Sequence, residues 1–336
     1  MTEFVRPAAV EEDELPFDDA RPEATDARTG IPWLNAWSDR RRQKRAEQAA
    51  EAQSGMDYLI STPRKVVTVY VPLAIIVFVL LFPFYWMFLT SIKPNAQLVD
   101  MDTYNPYWVS QPTLSHIKAL LFETHYPNWM WNTMMIAIVA TFLSMVASVL
   151  AAYAIVRLRY RGSQWIGGSI FLAYLVPPSI LFIPLSLIVV KYGLWDTPWS
   201  LILTYPTILI PFSTWLLMGY FKSIPYELEE CALIDGAGRL QILFRIILPL
   251  SGPGLISAGI FAFTLCWNEF IYALTFISSP DKKTVPTAII SEFVDGDIYR
   301  WGSLMAGALL GSVPVAIVYM FFVNHYVSAM TGAVKE

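Results

Sequence analysis

Apolar residues gather in six long blocks, separated by polar stretches of unequal length. The blocks run from Val66 to Ser91, Asn132 to Val156, Trp165 to Val190, Trp199 to Phe221, Ile256 to Ile277 and Trp301 to Tyr326. A helix needs about 20 apolar residues to cross a bilayer, so each block predicts a span. The segment 63–336 is therefore expected to be one all-α, polytopic membrane domain with six transmembrane helices. Residues 1–62 read as a separate tail. The connections alternate in length: a long one from Lys93 to Asn128, a short turn from Lys191 to Pro198, and a loop from Ser278 to Arg300. Trp108, Trp129 and Trp131 lie in or just after the first of these and suit a membrane interface. The second block ends at Arg157, Arg159 and Arg161.

The longest polar interruption among the later blocks is not composed like a loop. It covers 222–253 and contains Pro225 to Pro249, PYELEECALIDGAGRLQILFRIILP. Ser223 and Pro225 predict a helix start, a cap followed by a proline whose missing N–H costs nothing in the first turn. Glu227, Glu229 and Glu230 follow, where the helix dipole favours negative charge. Gly236 and Gly238 predict the break, since glycine takes the left-handed conformation that ends a helix. A second helical run from Leu240 to Leu248 is expected to stop at Pro249. The stretch predicts a short helix, a glycine turn and a second helix between two spans.

Composition agrees with a membrane protein. The chain is 55% hydrophobic and 15% charged, and its mean hydropathy is +0.48, far from a soluble domain. Net charge is −4, concentrated in the tail and the connections. Arg64, Lys65, Arg157, Arg159, Arg161, Lys222, Arg239, Arg245 and Lys335 fall on one side of the predicted topology, with the basic cluster Arg40, Arg41, Arg42, Lys44 and Arg45. Lys93, Lys118, Lys191, Lys282, Lys283 and Arg300 fall on the other. This bias places both termini, and the 222–253 loop, in the cytoplasm. The acidic N-terminus lacks an early apolar core, so no signal peptide is expected. The tail reads as solvated and disordered, or as a basic cluster touching anionic lipid. Cys231 in the loop and Cys266 in a span predict no structural disulfide. The chain carries no glycine-rich Walker sequence, no metal-ligand cluster and no sign of a nucleic-acid partner; it is not expected to be an enzyme.

The 222–253 loop carries a resemblance. Glu230-Cys231-Ala232, three residues, Gly236, nine residues, Ile246, one residue, Leu248-Pro249 resembles the EAA loop of ABC-transporter membrane subunits. Only Cys231 departs from the pattern, and cysteine is small and apolar. Asp235-Gly236-Ala237 is typical of the carbohydrate-import, maltose-type branch. Trp131-Asn132-Thr133, Ala152-Tyr153-Ala154 with Arg157 and Gly162, and Trp267-Asn268-Glu269-Phe270 are similar to the same branch. The resemblance covers Val66 to Glu336. It implies a binding-protein-dependent importer of the cytoplasmic (inner) membrane working by alternating access. The implied partners are a second permease, an ABC ATPase dimer that binds the ATP and magnesium, and an extracytoplasmic solute-binding protein. Glu230, Cys231, Ala232, Asp235, Gly236, Ala237, Leu248 and Pro249 are then the residues expected to couple to the ATPase.

Other residues carry two readings each. Asn268 and Glu269, polar groups inside a span, either line the translocation path or hold helices together by hydrogen bonds. Tyr174, Tyr205 and Trp215 either stack on a sugar face or pack. Pro177, Pro178, Pro184, Pro206 and Pro211 predict bent helices, which suit a gate and are also ordinary in membrane bundles. Ser278 to Arg300 either reaches a binding protein or is a re-entrant or interfacial segment. The expected function is import of a sugar or sugar derivative. The alternatives are an importer of a polyol or glycerol phosphate, an ion-coupled secondary carrier, for which no inverted repeat is found, and a non-transporting scaffold.

Overall fold

A computed structural model describes residues 66–100, 103–158, 160–296 and 298–332, with 324–332 traced as backbone. The expected tail, 1–62, lies outside the described residues, as do Arg159, Asp297 and Lys335. The chain divides into two units, Met1–Val77 and Phe78–Glu336. The first helix, α1 (Val66–Ser91), opens with a π turn over Val66–Tyr70. Its residues 66–77, the described part of the first unit, are exposed throughout.

In the second unit, α2 (Asn95–Val99) and α3 (Ser115–Phe122) occupy the first long connection. Next come α4 (Tyr126–Arg157), α5 (Ser163–Tyr174) and α6 (Pro178–Lys191), then α7 (Pro198–Thr204) and α8 (Pro206–Ser223). The loop forms α9 (Glu227–Ile234) and α10 (Arg239–Leu250). After them come α11 (Gly252–Trp267), α12 (Ile271–Phe276), α13 (Val285–Phe293) and α14 (Trp301–Gly332). A single hairpin, β1 (Val294–Asp295) with β2 (Ile298–Tyr299), pairs antiparallel with Val294 opposite Tyr299. Among the described residues all other regular structure is helical. In lipid every backbone group must find its partner within the segment, and helices do that.

Among the described residues four helical stretches, α7 with α8 counted as one, are long and apolar enough to cross a membrane, or up to six if each of two bent pairs is one span. The α5–α6 pair bends by 97° and the α10–α11 pair by 81°. The first bend falls at Pro177-Pro178, where neither residue has an N–H to continue the helix. The fifth block departs from expectation. It is not one helix over 256–277: α11 ends at Trp267, three residues follow, and α12 begins at Ile271.

The second unit packs around α4. Its 32 residues give a rod of about 48 Å at 1.5 Å per residue, so its two ends lie on opposite faces of the bundle. Ala137, Ala140, Ser144, Ser148 and Ala152 recur along one side of it and are buried. Such small residues let neighbouring helices approach closely, and α8 and α11 pack there. The loop end is closed by a cluster that includes Tyr153, Val156, Leu217, Phe221, Ile242 and Ile247. Gly254 at the start of α11 meets the Tyr220 ring of α8; a Cβ would stand 2.4 Å from it. At the opposite end, Leu120, Tyr126, Trp129, Val285, Ile289 and Phe293 form another cluster.

Candidate functional site

The loop folds as helix, glycine turn and helix, with three departures from expectation. Ser223 belongs to α8 and donates back to Tyr220 O at 2.8 Å, so it does not cap α9. Gly238 is extended (φ −75°, ψ 159°), and Gly236 alone in this turn is left-handed (φ 83°). Pro249 does not stop α10, which continues to Leu250. The turn before it is opened to π geometry over Leu243–Ile247, which accommodates a residue with no N–H to give.

The motif spacing follows from this geometry. The C-terminus of α9 is a Schellman turn: Ala237 N–H donates to Ala232 O at 2.9 Å, and Gly236 N–H donates to Leu233 O at 3.0 Å. These bonds satisfy carbonyls that a helix end leaves free, and they require a left-handed residue at position 236. Ala232, Ala237, Ile246 and Leu248 pack inward on the loop-end cluster. Glu230, Cys231, Asp235, Gly236 and Pro249 face outward. With them lie large exposed apolar side chains: Ile234 (86%), Leu240 (65%) and Phe244 (61%).

Glu229 turns the other way and is 3% exposed. Its Oε1 stands 3.2 Å from Arg157 Nε, an ion pair whose angle lies outside hydrogen-bond geometry. Arg157, the last residue of α4, is equally enclosed. Its Nη2 donates to Phe221 O and, at 2.7 Å, to Ile224 O at the end of α8. Its guanidinium lies 4.2 Å from the centre of the Tyr226 ring, and Tyr226 OH donates to Val156 O at 3.1 Å. Arg239 Nη1 approaches Glu229 Oε2 at 3.9 Å, and Tyr153 OH donates to Arg239 O. In the sequence Arg157 stands out as a flanking charge and as part of the resemblance at the end of the second block, and Glu229 as a dipole charge. Their burial together was not legible in either position alone.

The four expected path residues do not converge. Tyr205 and Glu269 meet: Tyr205 OH donates to Glu269 Oε2 at 3.0 Å. Glu269 also accepts from Tyr272 N–H at 2.8 Å and Ala273 N–H at 3.0 Å, the free amides of the first turn of α12. This explains the break in the fifth block: Glu269 leaves α11 and its carboxylate opens α12. Asn268 donates to Thr264 O and lines a cavity of about 500 Å³ with Trp267, Phe84, Ser312 and Tyr319. Tyr174 packs on Phe212, which stacks on Phe261 at 3.9 Å.

The 278–300 segment is folded rather than loose. Trp129 is buried, and its indole N–H reaches Pro280 O at 2.6 Å. Asn132 donates to Asp281 O, and Thr133 accepts from Val285 N–H. From the α6–α7 turn, Asp196 accepts from Ser279 Oγ and from the amides of Ser278 and Ser279, and pairs with Lys282 at 3.0 Å. The Ser279 hydrogen bonds, foremost its hydroxyl, hold the Asp196 carboxyl well below the usual carboxylate range. In the hairpin Asp295, Ile298 and Tyr299 are exposed, and Tyr299 stacks on Trp301 at 4.9 Å.

Residues 144–332 match the family described as "Binding-protein-dependent transport system inner membrane component". The chain belongs to that family. It is a multi-pass inner-membrane permease, and the matched residues include the whole 222–253 loop and the 278–300 segment. The permease is similar to "Inner membrane ABC transporter permease protein YcjP" of Escherichia coli, at 34% identity over 79% of this chain and 95% of the relative. It is similar to "Sulfoquinovosyl glycerol transport system permease protein SmoH" of Agrobacterium fabrum, at 35% over 75% and 87%. A third relative is "Trehalose/maltose transport system permease protein MalG" of Thermococcus litoralis, at 34% over 76% and 91%. The fold of the permease is shared with a solved bacterial ABC transporter involved in alginate import. The match has a TM-score of 0.68 and covers 79% of this chain and 98% of that one, at 22% identity.

Proposed function

We propose that this permease carries a sugar or sugar derivative inward as one subunit of an ATP-driven ABC importer. The observation that carries the reading is the outward face of the loop. Glu230 and the exposed Ile234 lie on a glycine-terminated helix that is fastened to the spans, and the exposed Leu240 and Phe244 follow its turn. An exposed apolar patch rimmed by charge suits a protein partner. The chain has no phosphate-binding loop, so the partner is an ATPase dimer that binds ATP and magnesium. Both termini then lie in the cytoplasm with the loop. A second permease completes the pathway, and a solute-binding protein docks at the opposite end, near the β1–β2 hairpin. Relatives named for sulfoquinovosyl glycerol, diacetylchitobiose and trehalose/maltose support a carbohydrate as cargo. Within the bundle, Asn268 lies on a cavity beside Ser312 and Tyr319, and Glu269 with Tyr205 holds the broken helix.

The test is co-purification in mild detergent, with and without Glu230→Ala and Gly236→Ala. An ATPase and a second permease are expected with the wild-type chain, and the ATPase is expected to be lost or unresponsive in the variant. A chain that purifies alone and still carries solute down an ion gradient would overturn the reading in favour of a secondary carrier. Uptake of a panel of labelled mono- and disaccharides by cells with and without the chain then tests the cargo.

A further inference from the structure

Four chain segments meet at one guanidinium. Arg157 ends α4, bonds the last carbonyls of α8, stacks on Tyr226 ahead of α9 and pairs with Glu229 inside α9. The α8 carbonyls are the negative end of that helix, which favours a cation. Arginine presents its donors in a rigid planar fork, so it can serve the carbonyls and the carboxylate from one position, which a lysine cannot do. Both charges are enclosed, with side-chain exposures of 0% and 4%, so neither is free to exchange its partner for water.

We infer that Arg157 and Glu229 are positioning residues that lock α9 to the ends of α4 and α8, so that displacement of α9 is delivered to these two spans as one body. The inference rests on the coupling reading above. The chain between α8 and α9 is short, and an unbraced linker there would act as a hinge and absorb the motion. The Arg157 junction removes that hinge. It also separates two adjacent glutamates by role: Glu230 points to the partner, while Glu229 points to Arg157. Arg239, half-exposed and 3.9 Å from Glu229, lies at the margin of the junction.

The test uses the co-purified complex in lipid vesicles, comparing Arg157→Lys, Glu229→Gln, their double variant and Arg239→Gln with wild type. Three quantities are read: retention of the ATPase, its stimulation by solute-loaded binding protein, and uptake. Arg157→Lys and Glu229→Gln are expected to retain the ATPase and its unstimulated rate. Their stimulation and uptake fall about tenfold, within the range of coupling between sites, and the double variant is no worse than either single one. Arg239→Gln stays near wild type. A spin label on Cys231, which is exposed, should keep its ATP-dependent change in Arg157→Lys while uptake falls, because α9 still follows the ATPase and no longer carries the spans; misfolding would abolish both. If Arg157→Lys fails to reach the membrane, the isosteric Glu229→Gln carries the test. Full stimulation and uptake in both single variants would overturn the inference, with the coupling reading intact so long as Glu230→Ala and Gly236→Ala still release or silence the ATPase. If those two variants retain a responsive ATPase, the coupling reading itself falls.

Discussion

Two residues hold backbone conformations that the rest of the site depends on. Gly236 is left-handed with nothing within 4 Å of where a Cβ would stand, so the cost of replacing it is conformational rather than steric. Gly236→Ala is expected to destabilise the end of α9 by about 1 kcal/mol. Faster hydrogen exchange at Gly236 and Ala237, with unchanged exchange in α4, would show it. Asp196 is the other, also left-handed at φ 57°. Its carboxyl is held low, so its stabilising effect is complete above the ordinary carboxylate pKa, about 4, and fades as pH falls below it. Asp196→Asn keeps a residue that tolerates this conformation and loses the charge. It should lower stability by about 1 kcal/mol at neutral pH. Thermal unfolding of both proteins should converge as the pH drops below about 4. Gly236 was legible in the sequence because its signal is local: a helix pattern, then glycine, at a fixed interval. Asp196 was not, because the groups that make it matter lie on a different connection.

The clearest case among the elements is the fifth block. Its hydrophobicity announces a span, yet it is divided, because one carboxylate serves three donors where the helix would otherwise continue. Glu269→Ala would leave the Tyr205 hydroxyl and two amides of α12 without their acceptor, a loss of about 2 kcal/mol or more. Tyr205→Phe should cost about 1 kcal/mol. Both are read from melting in detergent. A Glu269→Gln protein as stable as wild type but unable to transport would return the residue to the translocation path. The polar pair Asn268-Glu269 was visible in the sequence, and so were both of its readings. Choosing between them needed Tyr205, which lies at the junction of α7 and α8. The same holds for α13: its apolar residues read as part of a loop until Tyr126, Trp129 and the face of α14 are seen to cover them.

For the molecule as a whole, hydrophobic length alone made four crossings legible, and up to six with each bent pair counted as one, while the 97° and 81° bends depend on how the helices pack. The proposed orientation has a direct check in the native cysteines. Cys231 is exposed and Cys266 buried, so an impermeant maleimide should label one site, in inside-out vesicles and not in intact cells. Labelling from the outside would invert the topology. The π turn at Leu243–Ile247 sets a further constraint on the chain. It holds one residue more than an α turn would. Deleting any residue there would restore regular helix and keep its hydrogen bonds, yet would rotate α9 and its glycine turn by about 100° relative to α11. The outward glutamate and the inward one would then both miss their faces. Length is thus an inflexible property of this stretch, apart from which side chains it carries.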